Sequence, residues 1–220
     1  CTWALREGVL LDFIARHRKH IEENERFGTP RGRSVARLAR HLGETSEHGP
    51  RIARLALRLF DQLQPLLRVE AGARELLEYA ALLHDVGHHI DHANHHRHSY
   101  YLITNGELFG FSRDELEVIG LVARYHRKAV PKATDAEFRR LPQRARHTVR
   151  ALSAVLRIAD ALDRSHYGVV RDVAVSRRGP RLTLQLTTAG DAQLELWEAR
   201  QRSGLLHDVL GLDVELKVAT

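Results

Sequence analysis

Between residues 46 and 64 the apolar residues Ile52, Leu55, Leu59 and Leu63 recur every three or four positions, the period of a helix with one face against a core. The same period predicts helices over 3–21 (Leu10, Phe13, Ile14, His17), 71–86 (Ala73, Leu76, Leu77, Ala80, Leu83), 112–128 (Leu116, Ile119, Ala123) and from 144 onward (Val149, Leu156). Punctuation agrees with them. Ser112 with Glu115 spells a capping box, Pro65 and Gly87 close two helices, and Phe27 to Gly32 reads as a loop before a helix that Ser34 caps and Gly43 ends. Pro50 is tolerable in a first turn, where a missing N–H has no partner to lose; a helix starting at Pro50 itself is the other reading. A short helix is expected over 99–104, closed by Asn105-Gly106. Past Asp163 the period drops to two. Residues 169–175 and 182–186 alternate as strands about an Arg178-Gly179-Pro180 turn, 191–206 reads as an amphipathic helix, and 212–218 as a last strand. The expected fold is mainly α: a helical bundle over 1–166 with a small C-terminal α/β unit over 167–220.

The polar residues on these apolar faces carry the chemistry. His48 lies four before Ile52, His84 four after Ala80 with Asp85 next to it, His126 three after Ala123, and Asp160 four after Leu156. Burying a carboxylate or a charged imidazole without a partner is costly, so four such placements point to one shared partner. Neutral imidazole and carboxylate are the usual ligands of divalent transition metals, and bundles assemble such sites from facing helices. The set suits one or two ions of manganese, iron, zinc, nickel or cobalt, with magnesium where carboxylates dominate. Seven of the fifteen histidines fall between His84 and His98. The clustered His88, His89, His92, His95 and His96 exceed any site's ligand count and read mostly as solvent-facing, outer-sphere or substrate contacts; His88 joins Asp85 among the catalytic candidates. Arg127 and Lys128 follow His126, and Arg157 and Arg164 lie three before and four after Asp160, where they suit substrate phosphates. Asp160 and Arg164 equally fit a plain i,i+4 ion pair. The second His-Asp step, His207-Asp208, reads as an ordinary helix end. No Walker loop or serine-nucleophile motif is present.

The formal charge of +6 comes mostly from arginine, which suits bidentate recognition of phosphate, whereas aromatic residues at 6% are too sparse for the stacking platforms of single-stranded nucleic acid. Polyphosphate and nucleotides are the better-matched polyanions. The single cysteine, Cys1, forms no intramolecular disulfide and fits the cytoplasm, and no run of about 18 apolar residues offers a membrane span. The absence of methionine, at position 1 as elsewhere, leads us to expect a fragment of a longer chain.

The order His48, His84-Asp85, then Asp160 within Ile158-Ala159-Asp160-Ala161-Leu162-Asp163 resembles the H…HD…D pattern of HD metal-dependent phosphohydrolases. The resemblance implies that these four positions hold metal, and that two further histidines, placed here at His98 and His126, hold a second ion. Asp85 is the candidate bridge. Leu5 to Leu10, Ala56 to Leu63, His96 to Ile103 and Arg124 to Lys128 narrow the likeness to the C-terminal half of exopolyphosphatase/guanosine pentaphosphate phosphohydrolase proteins, over about residues 1–165. In that family the exopolyphosphatase site lies in an N-terminal actin-like half, expected to be absent here. Two functions therefore stand side by side. One is metal-dependent hydrolysis of a phosphorylated small molecule such as guanosine tetra/pentaphosphate, a nucleotide or short polyphosphate. The other is a binding module that grips polyphosphate and pairs subunits as a homodimer in the service of the actin-like half.

Overall fold

A computed structural model describes residues 7–9, 12, 28–43 and 46–219. The helix expected over 3–21 lies outside the described residues except for those four positions. The bundle is built from α1 (Pro30–His41), α2 (His48–Leu67), α3 (Ala73–Leu83), a 3₁₀ turn (Val86–His89), α4 (His95–Asn105), α5 (Arg113–Arg124), α6 (Ala136–Arg140) and α7 (Gln143–Ala161). The C-terminal unit follows as β1 (Val170–Arg178), β2 (Arg181–Thr188), α8 (Gln193–Arg202), α9 (Gly204–Leu210) and β3 (Asp213–Val218). A mainly α fold with a small α/β unit is what the periodicity called for.

Several boundaries moved, each for a local reason. The helix expected from Ser34 starts at Pro30, because Thr29 caps it by accepting the Gly32 N–H at 3.1 Å and Pro30 supplies a preset φ at the first position. Pro65 does not end α2, which continues to Leu67. The carbonyl that Pro65 leaves without its helical donor belongs to Asp61, and both residues are on the exposed face, while Leu63 and Leu67 stay buried. The helix expected at 99–104 begins one turn earlier, at His95, and the one expected over 191–206 divides at Ser203. His48 occupies the first position of α2 with Pro50 inside the first turn. The capping box is formed as read: Ser112 Oγ accepts from the Glu115 N–H at 3.3 Å and Glu115 Oε2 from the Ser112 N–H at 2.8 Å.

Leu59, Phe60, Leu83, Ile119, Leu152 and Leu156 are fully buried where α2, α3, α5 and α7 meet. Each such side chain contributes roughly 1.5–3 kcal/mol by leaving water. In the sheet, of order β1-β2-β3, β1 pairs antiparallel with β2 around the two-residue turn Gly179-Pro180, where Gly179 has φ +58°. β2 pairs parallel with β3, so α8 and α9 form the crossover. Val173, Leu184 and Leu206 belong to the same continuous apolar core as the bundle residues.

Chain direction places the polar cluster. His84 is the C-cap of α3, His126 follows the C-cap of α5 and Asp160 is in the last turn of α7, while His48 opens α2. Three helix C-termini, with their partial negative charge, therefore converge at one end of the bundle on the N-terminus of a fourth, an environment that favours a cation.

Candidate metal centre

The His84-Asp85 turn is lashed to α4 by Ser99, whose Oγ accepts from the Gly87 N–H at 2.9 Å and donates to the His84 carbonyl at 2.6 Å. The approach is so close that a Cβ on Gly87 would lie 2.0 Å from the His95 carbonyl oxygen. Glycine is required there by space. The turn aims the Asp85 carboxylate into the cluster with its two oxygens facing different histidines. Oδ2 lies 3.5 Å from His84 Nε2 and 3.8 Å from His48 Nε2. Oδ1 lies 3.2 Å from His95 Nε2 and 3.6 Å from both His88 Nε2 and His126 Nε2. Asp160 Oδ1 completes the first set, 3.6 Å from His48 Nε2 and 3.5 Å from His84 Nε2.

Each inner imidazole is fixed from behind. The Nδ1–H of His84 donates to the Ala81 carbonyl at 2.7 Å, that of His126 to Ala123 at 2.6 Å, and that of His95 to His92 at 2.9 Å. Carbonyls only accept, so in the neutral rings the lone pair is on Nε2, turned inward. His48 Nδ1 is held by Asp163 Oδ2 at 2.8 Å, and Asp163 also accepts from Arg51 at 3.0 Å and from the Gly168 N–H at 2.8 Å. His166 stacks on His48 with ring centroids 4.0 Å apart.

The donor set fits a divalent ion. Nε2 of His48 and of His84 are buried without a hydrogen-bond partner. The separations within the first set, 3.5–3.8 Å, are near the roughly 3.4 Å expected of two donors that each sit about 2.1 Å from one tetrahedral ion. Nε2 of His95 and of His126 face each other at 3.3 Å although both Nδ1 atoms are donors, an arrangement of lone pairs that a shared cation or proton relieves. Two groups here can hold a metal: His48, His84 and Asp85, and Asp85, His88 and His95.

Electrostatics show the same demand for positive charge. Burial would depress the His48 imidazole, but Asp160, Asp163 and Asp85 outweigh it and raise its pKa to about 9. His84 is likewise raised by Asp85 and Asp160 against burial. Burial would raise the carboxyls of Asp85 and Asp160; the surrounding histidines hold both far below the usual carboxylate range. His126 is pushed down to about 3 by burial and by His84.

Of the residues anticipated from sequence, the structure brings together His48, His84, Asp85, His88, His126 and Asp160. It does not bring His98 to the donors: that side chain is partly exposed near Asp91, and His95, one turn earlier, faces Asp85 instead. Arg157 is buried and donates to the carbonyl of Tyr125 at 3.0 Å and, at 3.5 Å, to those of Ala129 and Lys128, so it supports the turn carrying His126. Arg164 is exposed beyond the end of α7, and Asp160 pairs with Arg202 of α8. Lys128, at φ +55°, donates to the Ala93 carbonyl at 2.6 Å; it and Arg127 lie close enough to His96 to depress it, after burial, to about 4. The sequence reading did not single out Asp163 or Arg202, and it set His95 among the surplus histidines.

Fold and site define a helical bundle with a buried His/Asp cluster of metal-ligand chemistry. The family model for Ppx/GppA phosphatase, domain III, matches residues 31–208, and the chain belongs to that family. It is similar to guanosine-5'-triphosphate,3'-diphosphate pyrophosphatases: 28% identical over 158 residues to that of Pseudoalteromonas atlantica (71% of this chain, 29% of the relative), 28% over 188 to that of Vibrio vulnificus (83% and 35%), and 31% over 131 to that of Pseudoalteromonas translucida (59% and 24%). The chain thus spans about a third or less of the length of these relatives. Among the described residues, no helix is long and apolar enough to cross a membrane.

Proposed function

We propose that this chain is an HD-type, metal-dependent phosphohydrolase domain acting on a phosphorylated nucleotide or short polyphosphate. The carrying observation is the uniform way in which His48, His84, His95 and His126 commit Nδ1 to an acceptor behind the ring and turn Nε2 towards Asp85 and Asp160. The relatives' names, pyrophosphatases of a guanosine polyphosphate, support the substrate class. His48, His84, Asp85 and Asp160 would hold one divalent ion, and His88, His95 and His126, sharing Asp85, a second. Such ions supply water that ionises near neutral pH and neutralise charge on a phosphoryl group. The protein's own part is to fix ligand orientation through Asp163 and the Ala81, His92 and Ala123 carbonyls, and to keep the inner donors away from bulk water. His88, with Nε2 3.6 Å from Asp85 Oδ1, would close the second donor set on the side nearest solvent. Arg127 and Lys128 would draw the polyanion to that side.

A second reading, a polyphosphate-gripping module that dimerises and serves an N-terminal actin-like half, rests on the short span of the match: the relatives' named activity can reside in the remainder of their length. Elemental analysis and a phosphatase screen on the chain and its Asp85→Ala variant separate the two. The hydrolase reading expects about two metals per chain and hydrolysis of guanosine pentaphosphate, both lost in the variant. Hydrolysis that is absent, or unchanged by Asp85→Ala, removes it, and polyphosphate binding without hydrolysis leaves the module.

A further inference from the structure

Among the described residues, Asp160 is the carboxylate of the first donor set with a partner from the C-terminal unit. Arg202, in the last turn of α8, donates through Nη1 to Asp160 Oδ2, while Asp160 Oδ1 faces His48 and His84. The same Nη1 reaches the His126 carbonyl at 3.4 Å. Arg202 is itself held by Glu198, one turn back on α8, at 2.6 Å through Nε and 2.5 Å through Nη2. The three side chains are 11%, 15% and 17% exposed for Arg202, Asp160 and Glu198, so water competes little for these bonds. A second tie, from the Ser165 N–H to the buried Glu195 at 3.1 Å, fixes α8 against the segment that follows α7.

Charge and geometry separate here. Glu198 balances the guanidinium, so α8 brings no net charge towards a cation. What it brings is direction: with one edge of the planar fork clamped by Glu198, Nη1 is held in place beside Asp160. An unrestrained carboxylate rotates about χ2 and can offer either oxygen or both.

We infer that Arg202 is a positioning residue for Asp160: by taking Oδ2 it leaves Oδ1 alone facing His48 and His84, and it ties the C-terminal unit to the metal centre. The inference rests on the metal-centre reading above. It has a reciprocal consequence, because an ion that orders Asp160 also orders Arg202, and with it α8.

The test is titration of the chelator-treated chain with cobalt(II), reading affinity by calorimetry and coordination by the visible absorption of the ion, with circular dichroism as the check on folding. Arg202→Met is expected to weaken the tighter binding step roughly 10–100-fold, as loss of a ligand's hydrogen-bonding partner does, and to alter the cobalt spectrum; Arg202→Lys restores only part. Glu198→Gln, which keeps Arg202 but loosens its clamp, should shift the spectrum in the same sense and serves alone if Arg202→Met does not fold. Unchanged affinity and spectrum in the folded variants would make Arg202 a docking strut and overturn the inference. Tighter binding would make it a competitor for Asp160 and overturn it equally. If the unaltered chain binds no cobalt, the metal-centre reading fails first, and the role of Arg202 falls with it.

Discussion

Gly87→Ala is the most informative single change because its effect is set by a distance. A Cβ at this position would meet the His95 carbonyl oxygen at 2.0 Å and the Ser99 backbone nitrogen at 2.5 Å, against an ordinary contact of at least 3.4 Å. Both neighbours are backbone atoms at the start of α4, so no side-chain rotation relieves the overlap, and α4 has to retreat by about 1.4 Å in a close-packed interior. His95 rides on α4; its 3.2 Å approach to Asp85 Oδ1 would open beyond about 4 Å and the Ser99 bonds to Gly87 and His84 would stretch with it, while His48 and Asp160, on α2 and α7, keep their places. Overpacking of this kind costs roughly 1–3 kcal/mol, and each kcal/mol lowers Tm by about 2–4 °C in a chain of this size. The expected result is a folded protein that binds one metal equivalent tightly where the unaltered chain is expected to bind two. Elemental analysis after dialysis, paired with a thermal melt, measures both quantities. Two equivalents retained at unchanged affinity would refute the division of donors across Asp85.

Three further expectations follow from neighbouring contacts. His95→Ala should lose one metal equivalent while His98→Ala keeps both, which elemental analysis decides and a loss in His98→Ala would contradict. Asp163→Asn keeps an acceptor for Gly168 but removes the charge that holds His48 and Arg51; a stability loss of roughly 1.5–3 kcal/mol by urea denaturation and metal binding weakened roughly 10–100-fold are expected. Arg157→Met should destabilise by roughly 1–3 kcal/mol, because the buried Tyr125 carbonyl beside His126 loses its donor, and Arg157→Lys, lacking the planar fork, should not recover it; equal urea midpoints for all three proteins would sink this account.

The apolar stripes made half of the centre readable. His48, His84, His126 and Asp160 each continue the buried face of a long helix, so helical period alone put them indoors. His95 escaped because it belongs to a helix whose start was placed at Ser99; with α4 beginning at His95, the register that selects an inward histidine shifts by one turn. Asp163 lies past the end of α7, where periodicity no longer assigns a face, and its partners His48 and Arg51 are over a hundred residues away in sequence. Arg202 was hidden for a similar reason. Its position depends on how α8 docks against α7, a tertiary fact with no local signature, and the i,i+4 spacing of Asp160 and Arg164 offered a nearer but unused partner. The strand pair, by contrast, was legible from alternation and the Gly179-Pro180 turn, and only its length was underestimated.

The parallel pairing of β2 with β3 sets an order of assembly. Arg202 sits in the crossover between those strands, and the crossover is complete only once β3 has emerged and added itself to the sheet edge. Asp160 and Arg202 are 42 residues apart and His48 and Asp163 are 115 apart, loop closures that come late in folding because their entropy must be met before any contact rewards them. Chain order brings out the inner histidines first, Asp163 after them, and α8 and β3 last, so the side of the cluster nearest α8 is the last to be closed. The finishing strand carries none of the cluster's donors, yet its pairing with β2 completes the crossover that holds Arg202 beside Asp160.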